Sequence, residues 1–563
     1  MVLSSEEVAK HNKKDDLWVI IHEKAYDLTD FVDNHPGGSA IILKYAGKDA
    51  TKAFDPFHPG DILSKYLKPE YHKGEVEMKK KNKKVQDKAE SLAKSSGDQT
   101  AQGNKNANAN ANTNGSNVVD EFDVEYDEQD DKQPIPTQTA SEEVDDEYDE
   151  YDDDDDDPPT PEEIQRRKNV KNKPDLSQIY NLSDFEFVAR HTMEKTAWAY
   201  YSSGCDDEIT LRENHLSFQR VFFRPKVMID VSKIDLSTSM LGTNVSYPFY
   251  ITATALGKLG HPDGEKVLTR SAAKENVIQM IPTLASCSFD EIVDQATDKQ
   301  TQWFQLYVNS DREITKKLVQ HAESRGIKGL IITVDAPQLG RREKDMRSKN
   351  VEDLSYVQGD DDDADRTQGA ARAISSFIDA SLSWKDLKWF KSITKMPIVL
   401  KGIQRVEDAI LAAEYGCQGV ILSNHGGRQL EYSAPPIEIL MELMPILKEK
   451  GLNKNFEVYI DGGVSRATDI LKALCLGAKG VGIGRKFLYA MSTYGDEGVL
   501  KAISILRDEL IMNMRFLGAT SIDQLNESFV DIRSFTNRFV PEDKLFTKVY
   551  QPMDHPAFKD SKL

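Results

Sequence analysis

The sequence predicts a multidomain chain: a small α+β domain, a disordered acidic linker, and a TIM (β/α)8 barrel. Three observations predict it. At 563 residues the chain exceeds one ordinary domain and suggests two or three units. Eight short apolar runs recur in its C-terminal two thirds, most of them followed by a helix-like segment. Between residues 79 and 176 the composition breaks, with apolar residues scarce and charge abundant.

Residues 1–78 read as one compact domain, in which "LWVIIHEKAYDLTDF" gives two short strand-like runs around a turn. Residues 79–176 run from "KKKNKKVQDKAE" through "NKNANANANTNGSN" to "DDEYDEYDDDDDDPPTPEE". So few apolar groups cannot offset the entropy cost of ordering, and the segment reads as a tether. From Asp120 to Glu163, 23 acidic residues against Lys132 alone give −22; the whole chain carries −21, so the remainder sums to +1. The acidity is that of a solvated spacer, and no nucleic-acid partner is indicated. No run of about 18 apolar residues occurs, so no membrane span is expected. Cys205, Cys287, Cys417 and Cys475 lie far apart, without metal or disulfide spacing.

Residues 177–530 form the barrel. The eight runs are "PFYITATAL", "VIQMIPTLAS", "TQWFQLYV", "GLIITVDAP", "PIVLKGI", "GVILSNHGG", "EVYIDGGV" and "GVGIGR". Continuous apolar runs alternating with helices imply parallel strands buried on both faces. Polar residues cluster just after the runs, where barrels place their chemistry. Residues 343–372, with "QGDDDDADRTQG", are too polar for a barrel helix and read as a loop over that face. Residues 531–563 form a tail.

Two histidines stand out in the first domain. His35 lies in "DNHPGG" and His58, 23 residues on, in "FDPFHPG". A single one would read as a surface or core histidine. Two on Gly/Pro turns, flanking an apolar stretch, fit bis-imidazole ligation of a haem, and the absence of cysteine disfavours zinc. In the barrel, "LSNHGGRQL" sets His425, a base near neutral pH, three residues from Arg428, a bidentate carboxylate ligand. Asp335 in "TVDAP" can orient an imidazolium. Tyr307, Tyr200 and Tyr201 offer hydroxyls, Arg341 and Arg342 a second cation, and Lys401 a buried positive charge. "GVGIGR" lacks the acidic partner of a dinucleotide fingerprint, so no nicotinamide site is expected.

Residues 3–75 resemble the cytochrome b5 family, which implies haem b with His35 and His58 as axial ligands and Tyr66 near a propionate. Filled axial positions make an electron carrier. Across residues 180–540, "SNHGGRQL", "TVDAP", "KG", "DGGV" and "GIGR" resemble the FMN-dependent L-2-hydroxy acid dehydrogenase and oxidase family. The resemblance implies that His425 is the base, paired with Asp335. Arg428 and Tyr200 bind the substrate carboxylate, Tyr307 its hydroxyl, and Arg342 sits beside the reaction centre. Lys401 stabilises reduced FMN. Thr254, Ala255, Gln305 and Thr333 line the flavin ring, while Asp461, Gly462, Gly463, Gly484 and Arg485 hold the ribityl phosphate. Tyr200 also links flavin site and haem propionate.

Three positions depart from the family: Pro282 replaces a serine, Ser465-Arg466 an arginine pair, and Thr196 a glutamine that faces the haem. The expected activity is oxidation of an L-2-hydroxy acid, L-lactate first, since Leu284 and Ala255 match small-substrate positions. Electrons then pass through haem to an acceptor, cytochrome c or an unidentified carrier; the alternative is an oxidase producing hydrogen peroxide. The family implies a homotetramer. The terminal Ser561-Lys562-Leu563 reads as a peroxisomal address, and no presequence is expected. The mitochondrial intermembrane space or cytosol are the alternatives.

Overall fold

The computed structural model describes residues 2–32, 35, 39–55, 58, 62–63, 67–77, 159–297, 299–348 and 378–536. Tyr66, residues 36–38 of the HPGG turn, residues 79–158 of the linker, residues 349–372 and the tail beyond residue 536 lie outside them.

The N-terminal domain is a five-stranded sheet of β1 (Val2–Ser4), β2 (Asn12–Lys13), β3 (Asp16–Ile21), β4 (Lys24–Asp27) and β5 (His72–Glu77), ordered β1-β5-β4-β3-β2. Only β1 and β5 run parallel. The two strand-like runs are β3 and β4. His22 and Glu23 join them with φ of 51° and 59°, the left-handed pair that a two-residue hairpin turn requires. Alternation along β3 sends Leu17, Val19 and Ile21 into one core and Ile20 into another. Helices Ser39–Lys44 and Thr51–Phe54 cover the first of these with Ile42 and Phe54.

All eight expected runs are strands of a closed parallel barrel. They are β9 (Phe249–Ile251), β10 (Ile278–Ile281), β11 (Gln302–Leu306), β12 (Leu330–Thr333), β13 (Ile398–Ile403), β14 (Gly419–Leu422), β15 (Glu457–Asp461) and β16 (Gly480–Ile483). Of the short strands, β6 (Phe222–Phe223) pairs with β17 (Val530–Asp531), and β7 (Thr238–Met240) with β8 (Thr243–Val245). The β7–β8 hairpin stops the N-terminal end of the barrel. Leu241 N donates to Glu457, the first residue of β15, at 2.8 Å. Met240 and Val245 pack with Tyr250, Trp303 and Tyr459 inside the strands. The other end is left for the polar residues that follow each strand.

Three boundaries move. The tether was expected to reach residue 176, yet Pro161–Lys171 is a helix. Its ends carry their own signals: Thr160 Oγ1 accepts from Glu163 N at 3.2 Å, Pro161 opens the first turn, and Lys168 and Lys171 close the last. It is tied down by Asn169, which donates to the His191 carbonyl at 3.1 Å, and by Lys173, which donates to that of Thr493 at 2.6 Å. The loop expected from residue 343 starts instead as a short helix, Glu343–Arg347, with Asp345 buried. The barrel domain passes its expected end at residue 530, because Asp531 pairs with Phe222 and Arg533–Thr536 add a turn.

Candidate active site

The ends of β12, β13 and β14 bring the expected base together. His425 has φ of 58°, a left-handed conformation rare outside glycine and frequent at functional sites. Its Nδ1 lies 3.0 Å from Asp335 Oδ1 and its Nε2 3.2 Å from the Tyr307 hydroxyl. With Nδ1–H donated to the carboxylate, Nε2 accepts from Tyr307 and faces the cavity. The Asp335 side chain is 0% exposed and that of His425 19%. Burial lowers the imidazole's pKa, helped by Lys401 and Arg342 and opposed by Asp335, so the ring is neutral and can accept a proton. Burial also drives Asp335 upward, but His425 and Lys401 outweigh it and hold the carboxylate ionised. Burial beside Asp335 raises the Tyr307 phenol, which therefore stays protonated.

Gly402 explains the "KG" of β13. Its φ is +105°, and a Cβ there would overlap Asp335 Cγ. Gly402→Ala is expected to displace Asp335 and lower kcat by at least about tenfold, with strain of about 1–3 kcal/mol; stopped-flow rates together with thermal melts check both.

Arg428 and Arg342 line the same cavity. Arg428 Nη1 donates to the carbonyls of Tyr200 at 2.6 Å and Ser203 at 3.0 Å, and its guanidinium lies over the Tyr200 ring at 5.1 Å. Burial, with Arg342 beside it, pushes Arg428 down to about 9. Arg342 is buried, and its Nε has no hydrogen-bond partner among the described residues. Two desolvated guanidinium groups in one cavity, one with an orphaned donor, define a site for an anion. Ala255, Leu284 and Leu339 line the same cavity with Tyr200, which favours a short side chain on that anion.

On the β13–β15 side, Lys401 Nζ lies 3.2 Å from Asp461 Oδ2 and donates to Ser423 Oγ at 3.2 Å. Ser423 in turn donates to Asp461 and accepts from His425 N at 3.0 Å. Burial opposes the Lys401 charge, but Asp461 and Asp335 outweigh it and raise its pKa. Ser423 is a residue that motif reading missed; it follows β14 directly but forms no part of a charged pattern. Asn424 was missed as well. It exchanges two 2.7 Å amide hydrogen bonds with Asn214 and braces the His425 turn.

Thr254, Ala255, Gln305, Thr333, Asp461, Gly462, Gly463, Gly484 and Arg485 all line this cavity. Gln305 donates to Thr333 Oγ1 at 2.9 Å. A flat ring system fits against these small residues, and Lys401 supplies the cation an electron-rich ring needs. Gly463 has φ of +81°, and a Cβ there would overlap the Asn214 carbonyl, so the backbone lies open to a ligand on its other side. Pro282 carries no donor, yet Thr283 ties that strand end instead: its hydroxyl donates to the Gln305 carbonyl at 2.6 Å and accepts from Tyr307 N at 2.9 Å. The Arg485 guanidinium behaves unexpectedly: its Nε, Nη1 and Nη2 donate to the carbonyls of Tyr201, Gly426 and Ser203 at 2.9–3.0 Å.

In the N-terminal domain, His35 and His58 face each other with ring centroids 5.9 Å apart. His58 Nδ1 donates to the Phe54 carbonyl at 3.0 Å, leaving Nε2 as a ligand atom. Burial, and His35 nearby, lower its pKa, which keeps it in the neutral form that binds a metal. The two facing imidazoles fit the two axial positions of a haem iron.

Residues 189–532 match the FMN-dependent dehydrogenase family and residues 4–77 the cytochrome b5-like heme/steroid binding domain. The chain belongs to the FMN-dependent dehydrogenase family and carries a cytochrome b5-like domain ahead of the barrel. It is similar to an L-lactate dehydrogenase (cytochrome) of Wickerhamomyces anomalus, 52% identical over 99% of this chain and 85% of that protein. A protein of the same name from Saccharomyces cerevisiae is 46% identical over the same shares. The recombinant flavin-binding domain of baker's yeast flavocytochrome b2 matches with a TM-score of 0.63 and 53% identity, over 71% of this chain and 100% of that one. The chain is thus an oxidoreductase using FMN and haem b.

Proposed function

We propose that the enzyme oxidises L-lactate to its 2-oxo acid and passes the electrons singly to the haem domain. The observation that carries this is the pairing of a neutral, Asp-backed imidazole with two buried guanidinium groups in one cavity. Lys401 and the glycine-lined strand ends would hold FMN, which would supply two-electron acceptance and one-electron release.

The chain's own residues do the rest. Arg428 and Arg342 hold the substrate carboxylate, and Tyr307 hydrogen-bonds its hydroxyl beside His425 Nε2. His425 takes the proton, and the imidazolium so formed is stabilised by Asp335 at 3.0 Å. Lys401 places a fixed positive charge where negative charge accumulates.

An anaerobic spectrum tests this reading. L-lactate is expected to bleach the flavin band and then sharpen the reduced haem band; a silent haem with rapid oxygen use under air would favour an oxidase. Leu284→Ala is expected to raise kcat/KM for longer 2-hydroxy acids relative to lactate by about 10–100-fold, the range one to two methylenes command, measured by competition kinetics.

The final acceptor is proposed to be cytochrome c, tested by its reduction in lactate-driven assays. A homotetramer is also proposed, because Val227, Met228 and Phe516 are exposed around the Lys226–Leu517 hydrogen bond; light scattering gives the mass. Peroxisomal import through Ser561-Lys562-Leu563 is a further proposal, which relocation of a tagged chain lacking them would support.

A further inference from the structure

The glycine-lined end of the cavity must balance the two negative charges of the ribityl phosphate, and its cations are few. Arg485 lines it as the first cation, with three of its five N–H donors committed to backbone carbonyls. Ser465 lines it without a charge, and its N–H donates to Asp469 at 2.9 Å. Arg466 turns away: it pairs with Glu509 at 2.8 Å, its side chain is 48% exposed, and it does not line the cavity. Lys486 remains. It is the second residue of the helix that follows β16, 13% exposed, and it lines the cavity beside Gly484 and Arg485.

Lys486 Nζ is paired with Glu186, a 4% exposed carboxylate of helix Leu182–Thr192 that lines the same cavity. It also donates to Ser183 Oγ at 3.3 Å. An ammonium has three donors, and these contacts use two. The pair is nearly buried, so the ammonium cannot swing into bulk water, and Glu186 holds it at the wall.

We propose that Lys486 is the second phosphate cation of this enzyme, positioned by Glu186 and serving in place of a charge at position 465. The inference rests on FMN being the cofactor. Because Glu186 offsets the Lys486 charge, what Lys486 contributes is its third N–H donor, presented from the first turn of the helix after β16, where the helix dipole adds to it.

The test titrates the full-length chain, stripped of flavin, with FMN and separately with riboflavin, following quenching of flavin fluorescence. Riboflavin lacks the phosphate and reports on ring binding and on folding. Lys486→Met is expected to weaken FMN by about 10–100-fold and to leave riboflavin unchanged. The double variant Glu186→Gln/Lys486→Met, which buries no unpaired charge, is expected to show the same loss. Ser465→Arg in the Lys486→Met background is expected to restore FMN affinity. An unchanged preference for FMN over riboflavin in both the single and the double variant would overturn the role of Lys486. A parent chain that binds neither flavin would instead overturn the cofactor reading.

Discussion

Replacing His425 with glutamine is expected to lower kcat by about 10²–10⁴-fold, the range that positioned proton transfer supplies. KM is expected to change far less, because Arg428 and Arg342 remain to hold the carboxylate. Rapid-mixing measurement of haem reduction separates the two parameters. The pH profile adds a sign. The base works unprotonated, and burial, Lys401 and Arg342 together hold it below the usual histidine value of 6.5. The acid limb of kcat/KM therefore falls below pH 6.5. Asp335 raises that pKa, so Asp335→Asn is expected to lower kcat while moving the limb further to acid. A limb that moved toward alkaline pH would refute the pairing.

Arg428→Lys is expected to be nearly as damaging. Removing one side of a buried charged hydrogen-bonded pair costs about 2–5 kcal/mol, which is roughly 30- to 4,000-fold in kcat/KM at 1.4 kcal/mol per tenfold. Lysine keeps the charge but loses the planar fork that bridges the Tyr200 and Ser203 carbonyls to a substrate carboxylate. Both kcat and KM are expected to suffer, since Arg428 also fixes the end of helix Lys195–Ser202. Tight-binding measurements with a 2-oxo acid product isolate the binding share. A variant with unchanged product affinity would show that Arg342 alone carries the anion.

The barrel was legible because its signal is local. Each strand is a short apolar run, and the catalytic residue types sit within a few positions of its end, as His425 does after β14. The phosphate end was not. Arg485 and Arg466 look interchangeable in sequence, yet one is captured by three carbonyls from distant segments and the other by Glu509. Partners of that kind are set by tertiary packing and leave no trace in spacing. The helix Pro161–Lys171 was hidden for another reason: charge summed over a long window conceals good caps, and the anchoring carbonyls of His191 and Thr493 lie far along the chain. Ser423 and Asn424 carry no charge and attract no notice until their hydrogen bonds are seen.

The hairpin that stops the barrel has a consequence for traffic. With Met240, Val245, Tyr250, Trp303 and Tyr459 packed inside the strands, the interior below Lys401 and Asp461 is filled by side chains, and the cavity that holds His425 lies at the other end. A proton taken by His425 departs the way the substrate came. Proton and product thus share one exit, and the enzyme resets only when that exit clears, so solvent isotope effects on turnover would report on product departure as much as on the bond being broken.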